Sequence, residues 1–155
     1  MPYLSAIMVT VLLSGFSGSL LAQEPYCAWE AKAAAIEKPL CGLAGDARRG
    51  RAIAGDTHQG NCLACHQLPI PEEGFHGTIG PPLANVGSRL SAAQLRLRIV
   101  DEQLVNPNTI MPPFYRQPDQ LNRVAVELLG KTFLTAQQVE DLVAYLSSLR
   151  EASSQ

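Results

Sequence analysis

The sequence predicts an all-α domain with few helices and two long loops. Apolar residues recur at helical spacing near the C-terminus, and Gly and Pro concentrate in two stretches between helical segments. No run of alternating apolar and polar residues is long enough to predict a convincing strand. The chain has 155 residues, which suits one domain of ordinary size.

The C-terminal helix is the clearest of these elements. Thr135 and Gln138 have the spacing of a capping box, in which each side chain bonds the backbone of the other residue. One apolar stripe follows at helical spacing: Val139, Leu142, Val143, Leu146 and Leu149.

Two further helices are predicted from their caps and their ends. Asp46 can cap a helix that runs from Ala47 to about Gly55. Another helical pattern begins at Ser91 and ends before Asn106-Pro107, because a proline disfavours helical backbone in the residue that precedes it.

The remaining stretches are shorter helices or loops. The Ala-rich stretch Ala28–Ile36 is predicted to be helical and to end before Pro39. Residues 67–90 and 106–118 are rich in Gly or Pro and are predicted to be loops. Loops of this length in a compact domain are usually functional.

The first 22 residues have the layout of a secretory signal. Tyr3–Ala22 contains no charged residue and has an apolar middle, and Ala22 is a small residue at the expected cleavage point. The alternative is a retained membrane anchor, since no Lys or Arg precedes the apolar run. The Ser and Gly content disfavours a spanning helix, which needs about 20 mainly apolar residues. We therefore expect a periplasmic protein without stable membrane insertion.

The mature chain is predicted to have three parts. They are an N-terminal extension over residues 23–45, a domain over 46–150 and a short tail over 151–155. The formal net charge of −2 gives no reason to expect a nucleic-acid partner.

The four cysteines fall into two pairs. Cys27 and Cys41 lie 14 positions apart in a segment expected outside the cytoplasm, and an oxidising compartment favours a disulfide between them. Such a bond would stabilise the fold by about 3 kcal/mol. The alternative is two buried free thiols.

The second pair belongs to a Cys-x-x-Cys-His segment formed by Cys62, Cys65 and His66. In such a segment the two thiols attach haem covalently, and the adjacent imidazole becomes an axial ligand of the iron. A thioredoxin-like dithiol would need a strand-to-helix context that the chain lacks. A zinc site would need further ligands, for which His58, His76 or the other two cysteines are the candidates.

Met111 is the candidate for the second axial ligand. Once the signal is removed it is the only methionine left, and it lies in a proline-rich loop that can hold its thioether against the iron. The alternative role is a core-filling methionine. His58 and His76 are the competing ligands.

Two further residues are candidate haem contacts. The carbonyl of Pro81 could accept a hydrogen bond from the second ring nitrogen of His66 and fix its orientation. Arg89 could pair with a haem propionate. An ordinary rigid turn and a surface arginine are the respective alternatives.

The order of motifs resembles the SoxX family, the small cytochrome c subunits of the thiosulfate-oxidising SoxAX complex. These motifs are CLACH, GTIGPPLANVGSR, NPNTIMPPFY and LTAQQVEDLVAYL. The resemblance covers about Asp46 to Leu149. It implies the class I cytochrome c fold, one covalently bound haem c, axial ligands His66 and Met111, and a helix near Gly50 that crosses the C-terminal helix near Tyr145.

The resemblance also implies partners. They would be SoxA in a heterodimer, the SoxYZ carrier transiently, and a downstream acceptor cytochrome. The whole complex would act as an L-cysteine S-thiosulfotransferase, with the chemistry on the partner subunit and no catalytic residue in this chain. This chain would then relay electrons.

Two other functions remain open from the residues alone. One is a free periplasmic monohaem shuttle, and the other is a haemless structural or metal-binding domain. An obligate subunit should expose an apolar patch near the haem edge. The candidates for that patch are Ile70, Phe75, Phe114 and Tyr115.

Overall fold

The computed structural model describes residues 26–120 and 124–151. The predicted signal over residues 1–22 and most of the predicted tail lie outside them. The described residues form four α-helices, joined by loops and short 3-10 turns: α1 (Ala47–Gly55), α2 (Val86–Arg89), α3 (Ala92–Asp101) and α4 (Ala136–Ser148). They contain no β-strand, so the predicted all-α class is confirmed.

The three main helices begin at the caps that the sequence indicated. The Asp46 side chain accepts hydrogen bonds from the backbone N–H groups of Arg48 and Arg49 at the start of α1. Ser91 with Gln94, and Thr135 with Gln138, form complete capping boxes at α3 and α4. Helix α3 ends at Asp101 and continues as the 3-10 turn Glu102–Leu104, so it stops short of Asn106.

Helices α1 and α4 cross at a glycine. A Cβ atom at Gly50 would collide with the backbone carbonyl of Asp141 and would lie 2.8 Å from the Cβ of Tyr145. Only a residue without a side chain permits this approach. Arg49 secures the crossing through two hydrogen bonds to the buried Asp141 carboxylate, at 2.7 and 2.8 Å.

The prediction of a helix over Ala28–Ile36 is wrong. The chain makes a tight turn there, with Ala33 and Ala34 at positive φ and an isolated bridge between Lys32 and Ala35. A short Ala-rich stretch has little helical stability of its own. Tertiary contacts of the extension therefore decide its conformation.

Those contacts centre on a buried ion pair between α3 and α4. Arg96 donates two hydrogen bonds to the Glu140 carboxylate, at 2.7 and 2.8 Å, and both side chains are buried. Arg96 also donates to the carbonyl of Ile36 at 2.7 Å, while Glu140 accepts from the N–H of Leu40 at 2.8 Å. The N-terminal extension is thus fixed to the two helices by charged groups.

Cys27 and Cys41 are joined by a disulfide in this extension, with their Cα atoms 5.5 Å apart. The bond closes the segment 27–41 into a loop, and two residues of that loop, Ile36 and Leu40, are the ones bound to Arg96 and Glu140. No helix within residues 26–120 and 124–151 is long and apolar enough to cross a membrane.

Candidate functional site

A cavity of about 890 Å³ lies between α3, α4 and the two long loops. Its wall is formed by residues from six parts of the chain: 57–66, 79–90, α3 with the turn after it, 106–114, 128–133, and α4. Most of the lining side chains are apolar, among them Val86, Leu95, Ile99 and Leu142. Such a lining favours a large apolar ligand.

The Cys-x-x-Cys-His segment forms one wall of the cavity. Cys62–Ala64 makes a 3-10 turn that follows Asn61 in left-handed backbone, and the N–H of His66 donates to the carbonyl of Cys62 at 2.9 Å. This turn brings Cys62, Cys65 and His66 to the cavity together. Burial raises the pKa of the Cys62 thiol to about 11. That shift disfavours the thiolate that a redox-active dithiol requires.

The ring of His66 is held in one orientation. Its Nδ1–H donates to the carbonyl of Pro81 at 2.7 Å, the contact that the sequence suggested. A Cβ atom at Gly80 would collide with the ring, so the glycine is needed beside it. Gly80 is itself fixed by a hydrogen bond from its N–H to the carbonyl of Cys65, at 2.8 Å. With Nδ1 engaged, Nε2 is the nitrogen available to a metal.

Met111 lies on the wall of the same cavity, in the loop 106–114. Its N–H donates to the Thr109 hydroxyl at 3.1 Å. After Met111 the loop is tied to α3 by two backbone hydrogen bonds, from Phe114 to Ile99 and from Tyr115 to Val100, both at 3.2 Å.

The two competing histidines have other surroundings. His58 lines the cavity, but its side chain is 93% exposed and lies beside the carboxylate of Asp56. His76 is engaged within its own loop. Its Nδ1 accepts from the N–H of Leu68 at 3.2 Å, and its Nε2–H faces the carbonyls of Ile70 and Glu73. Neither arrangement favours His58 or His76 over Met111 as a ligand.

Arg89 also lies on the cavity wall. Its guanidinium donates to the carbonyls of Pro82 at 3.0 Å and of Ala84 at 3.4 Å. These bonds stabilise the loop that carries Pro81. A propionate contact by Arg89 stays a prediction.

Sequence reasoning missed an ion pair in the cavity wall. Arg98 donates to the Glu102 carboxylate at 2.6 Å, and both residues line the cavity. Glu102 is only 9% exposed, and its second carboxylate oxygen has no hydrogen-bond partner among the described residues. Burial raises the pKa of Glu102, against the opposing effect of Arg98. The i,i+4 spacing could have revealed the pair, but not that it faces a cavity.

The wall residues fit a covalently bound haem. Cys62 and Cys65 present two thiols on one side, His66 offers a free Nε2, and Met111 offers a thioether. The guanidinium of Arg98 supplies N–H donors and positive charge at a mostly apolar wall, where haem carboxylates need them. The volume of the cavity, its mostly apolar lining and its iron-binding and thiol groups therefore all fit a haem.

The predicted apolar patch needs correction. Ile70 and Tyr115 are each only 2% exposed, because both belong to the hydrophobic core. Phe114 is half-buried, and only Phe75 is exposed. Three other exposed apolar residues border the cavity instead: Ile79, Ile110 and Phe133.

Comparison with known proteins finds both a family and a similar solved structure. Residues 47–150 match the cytochrome c family. A chain of the crystal structure of SoxXA from P. pantotrophus is 37% identical, with a TM-score of 0.72, over 79% of this chain and 95% of that chain. No curated protein sequence matches the chain.

Proposed function

Since the chain belongs to the cytochrome c family and is a SoxX-type cytochrome of the class I fold, with covalently bound haem c, we propose that it is the one-haem relay subunit of a SoxAX-like complex. The observation that carries this proposal is the placement of Cys62, Cys65, His66 and Met111 around one cavity. The four residues come from two separate segments of the chain.

Each of these residues has a distinct role in the proposal. Cys62 and Cys65 bind the haem through thioether bonds, and His66 and Met111 are the two axial ligands. When bound, the haem supplies a centre that gains and loses one electron. His66 and Met111 together leave no ligand position for a substrate. A relay therefore suits this site better than chemistry at the iron.

The identity to a SoxXA chain supports a SoxA-like partner. In the proposed complex, the partner joins thiosulfate to the carrier cysteine of SoxYZ, the L-cysteine S-thiosulfotransferase reaction. The electrons released then pass through this chain to an acceptor cytochrome. The complex would work in the periplasm, after export by a cleaved N-terminal signal.

The test of this function is thiosulfate-dependent reduction of the haem, followed by visible absorption. We expect reduction when the SoxA-like partner and SoxYZ are both present, and none when either is omitted. If the haem stays oxidised with active partners, the relay proposal fails and a free electron shuttle is favoured instead.

The ligand assignment has a separate test in Met111→Ala. We expect this variant to lose the iron–sulfur charge-transfer absorption of the ferric protein and to have a lower reduction potential, because a thioether ligand raises the potential. Ile110→Ala is the matched control, since its side chain is 76% exposed and adjacent in sequence. Unchanged absorption in Met111→Ala would rule out this ligand.

The exposed apolar residues beside the cavity offer a test of the docking face. Ile79 is 68% exposed and borders the cavity, whereas Val126 is 78% exposed and does not line it. We expect Ile79→Ser to slow partner-dependent reduction by several-fold and Val126→Ser to leave its rate unchanged. Equal effects of the two variants would place the docking face elsewhere.

A further inference from the structure

The loop that carries Met111 is held from outside by the N-terminal extension. Tyr115, four residues after Met111, is only 2% exposed. Its hydroxyl oxygen accepts a hydrogen bond from the N–H of Cys27 at 2.8 Å. Its ring stacks on Tyr26, with the ring centroids 5.0 Å apart and the planes 13° from parallel. The hydrogen bond between Cys27 and Tyr115 joins residues 88 positions apart.

The disulfide transmits this contact to the core. Cys27 is bonded to Cys41, and the neighbouring N–H of Leu40 donates to the buried Glu140 carboxylate. Within the same closed loop, the carbonyl of Ile36 accepts from the buried Arg96. The segment 27–41 is therefore anchored to α3 and α4 at one end and to Tyr115 at the other.

Met111 itself depends on the ends of its loop. At the N-terminal end, the N–H of Asn106 donates to the carbonyl of Glu102 at 2.8 Å. At the C-terminal end, the N–H groups of Phe114 and Tyr115 donate to carbonyls of α3. Arg116 then pairs with the buried carboxylate of Asp101 at 2.6 and 2.8 Å. Between these ends, the N–H of Met111 bonds to Thr109 of the same loop. Loosening either end would therefore free the thioether to move.

We propose that the disulfide-closed segment 27–41 is a clasp that keeps Met111 at the iron, with Tyr115 as the positioning residue. This inference rests on the proposed ligation by Met111. The clasp acts on the ligand loop, and it leaves the Cys62, Cys65 and His66 side of the cavity untouched. Opening the clasp should therefore increase the rate at which Met111 leaves the iron without lowering haem attachment.

The experiment measures how fast imidazole binds to the ferric haem of the intact protein, since added imidazole reaches the iron only when Met111 is displaced. We expect Tyr115→Phe, which keeps the ring and removes the hydroxyl, to speed binding about fivefold, the factor for one lost hydrogen bond. The combined variant Cys27→Ser with Cys41→Ser should speed it on the order of tenfold or more, because the closed loop is lost.

The matched control is Tyr145→Phe. Tyr145 is also buried, at 5% exposure, but it lies on α4 against α1 and its hydroxyl has no hydrogen-bond partner among the described residues. Imidazole binding to this variant should match the wild-type rate. If Tyr115→Phe and the double cysteine variant also bound imidazole at the wild-type rate, the clasp proposal would be overturned.

Failure of the Met111 ligand assignment can be distinguished from failure of the clasp proposal. A wild-type protein without the iron–sulfur absorption would refute ligation by Met111 before any clasp variant is measured. If the absorption is present and both clasp variants bind imidazole at the wild-type rate, Met111 is the ligand but the segment 27–41 does not hold it.

Discussion

The two sides of the haem cavity are built in different ways. The ring of His66 is held by Pro81 and Gly80, which are at most 15 residues away in sequence, and by the turn that carries the cysteines. Met111 lies on a loop whose supports include Cys27, 84 positions before it, acting through Tyr115. One wall is therefore a product of local sequence and the other a product of tertiary contacts.

With the proposed ligands, this difference would separate the residues that bind the haem from those that set the properties of its iron. Residues 62–81 can present two thiols and an oriented imidazole through their own turns and hydrogen bonds. The position of Met111 depends on α3 and the N-terminal extension as well. We expect changes in the first wall to prevent haem attachment, and changes around the second to alter ligand exchange and stability in a protein that still carries haem.

The largest effect is expected for Gly80→Ala, which breaks the His66 wall. The added Cβ would collide with the imidazole ring. Because Gly80 is held by its hydrogen bond to Cys65, the ring must move, and we expect the yield of haem-loaded protein to fall at least about tenfold. Covalent haem staining after denaturing electrophoresis measures this. The control is Gly74→Ala, where a Cβ would meet no atom within 4 Å; an equal loss in both variants would contradict the prediction.

The support of the Met111 wall is tested by Glu140→Gln. The change leaves the buried Arg96 without its ion-pair partner, and we expect the free energy of unfolding to fall by about 3 kcal/mol. Denaturant unfolding of the haem protein measures it. Glu72→Gln breaks an exposed pair with Arg51 and should cost less than about 1 kcal/mol. Normal haem attachment in Glu140→Gln is the second expectation, and its loss would show that the two walls are not independent.

Asp141 lies outside both walls, at the crossing of α1 and α4. Burial acts to raise the pKa of Asp141, but hydrogen bonds from Arg49, Asp46 and Gln137 outweigh it and hold the pKa below its ordinary value of 3.8. The stabilisation is therefore complete above about pH 4 and is lost as the pH falls through the lowered pKa. Asp141→Asn should cost about 2 kcal/mol at pH 7.

The measurement for Asp141→Asn is thermal unfolding between pH 7 and pH 2. The melting temperatures of variant and wild type should converge at the acid end. A difference that stays constant over this range would show that the Asp141 charge does not supply the stabilisation.

The smallest effect is expected within the Met111 loop itself. Thr109→Val removes the hydroxyl that accepts from the N–H of Met111. One part-buried hydrogen bond contributes about 0.5–1 kcal/mol, so imidazole binding should become two- to fivefold faster. Thr109→Ser keeps the acceptor and should match the wild type. An effect of Thr109→Val larger than that of the double cysteine variant would locate the main restraint inside the loop.

The local wall is also the part of the site that the sequence predicted best. The Cys-x-x-Cys-His spacing and the Pro81 carbonyl could be assigned to one site because their geometry depends on short spans of chain. The starts of helices α1, α3 and α4 could be predicted for the same reason, because each cap is formed by residues close together in sequence. Short-range hydrogen bonds leave a signature in residue spacing.

Long-range features were missed or misjudged. Nothing near Ala28–Ile36 indicates that Ile36 accepts a hydrogen bond from Arg96, sixty positions later, so the stretch was predicted to be helical. Tyr115 was expected at an exposed patch, but it is buried in the core, and its partners Tyr26 and Cys27 are distant in sequence. Periodicity cannot show which distant segments meet.

The two cysteine pairs also impose opposite chemical demands on biogenesis. Cys62 and Cys65 must stay reduced until haem is attached, whereas Cys27 and Cys41 are joined to each other. Both members of the joined pair precede both members of the haem pair along the chain. In a chain that crosses a membrane N-terminus first, the early pair can close before the later thiols emerge. For a chain exported in this way, the order of the residues would lower the risk of mispairing.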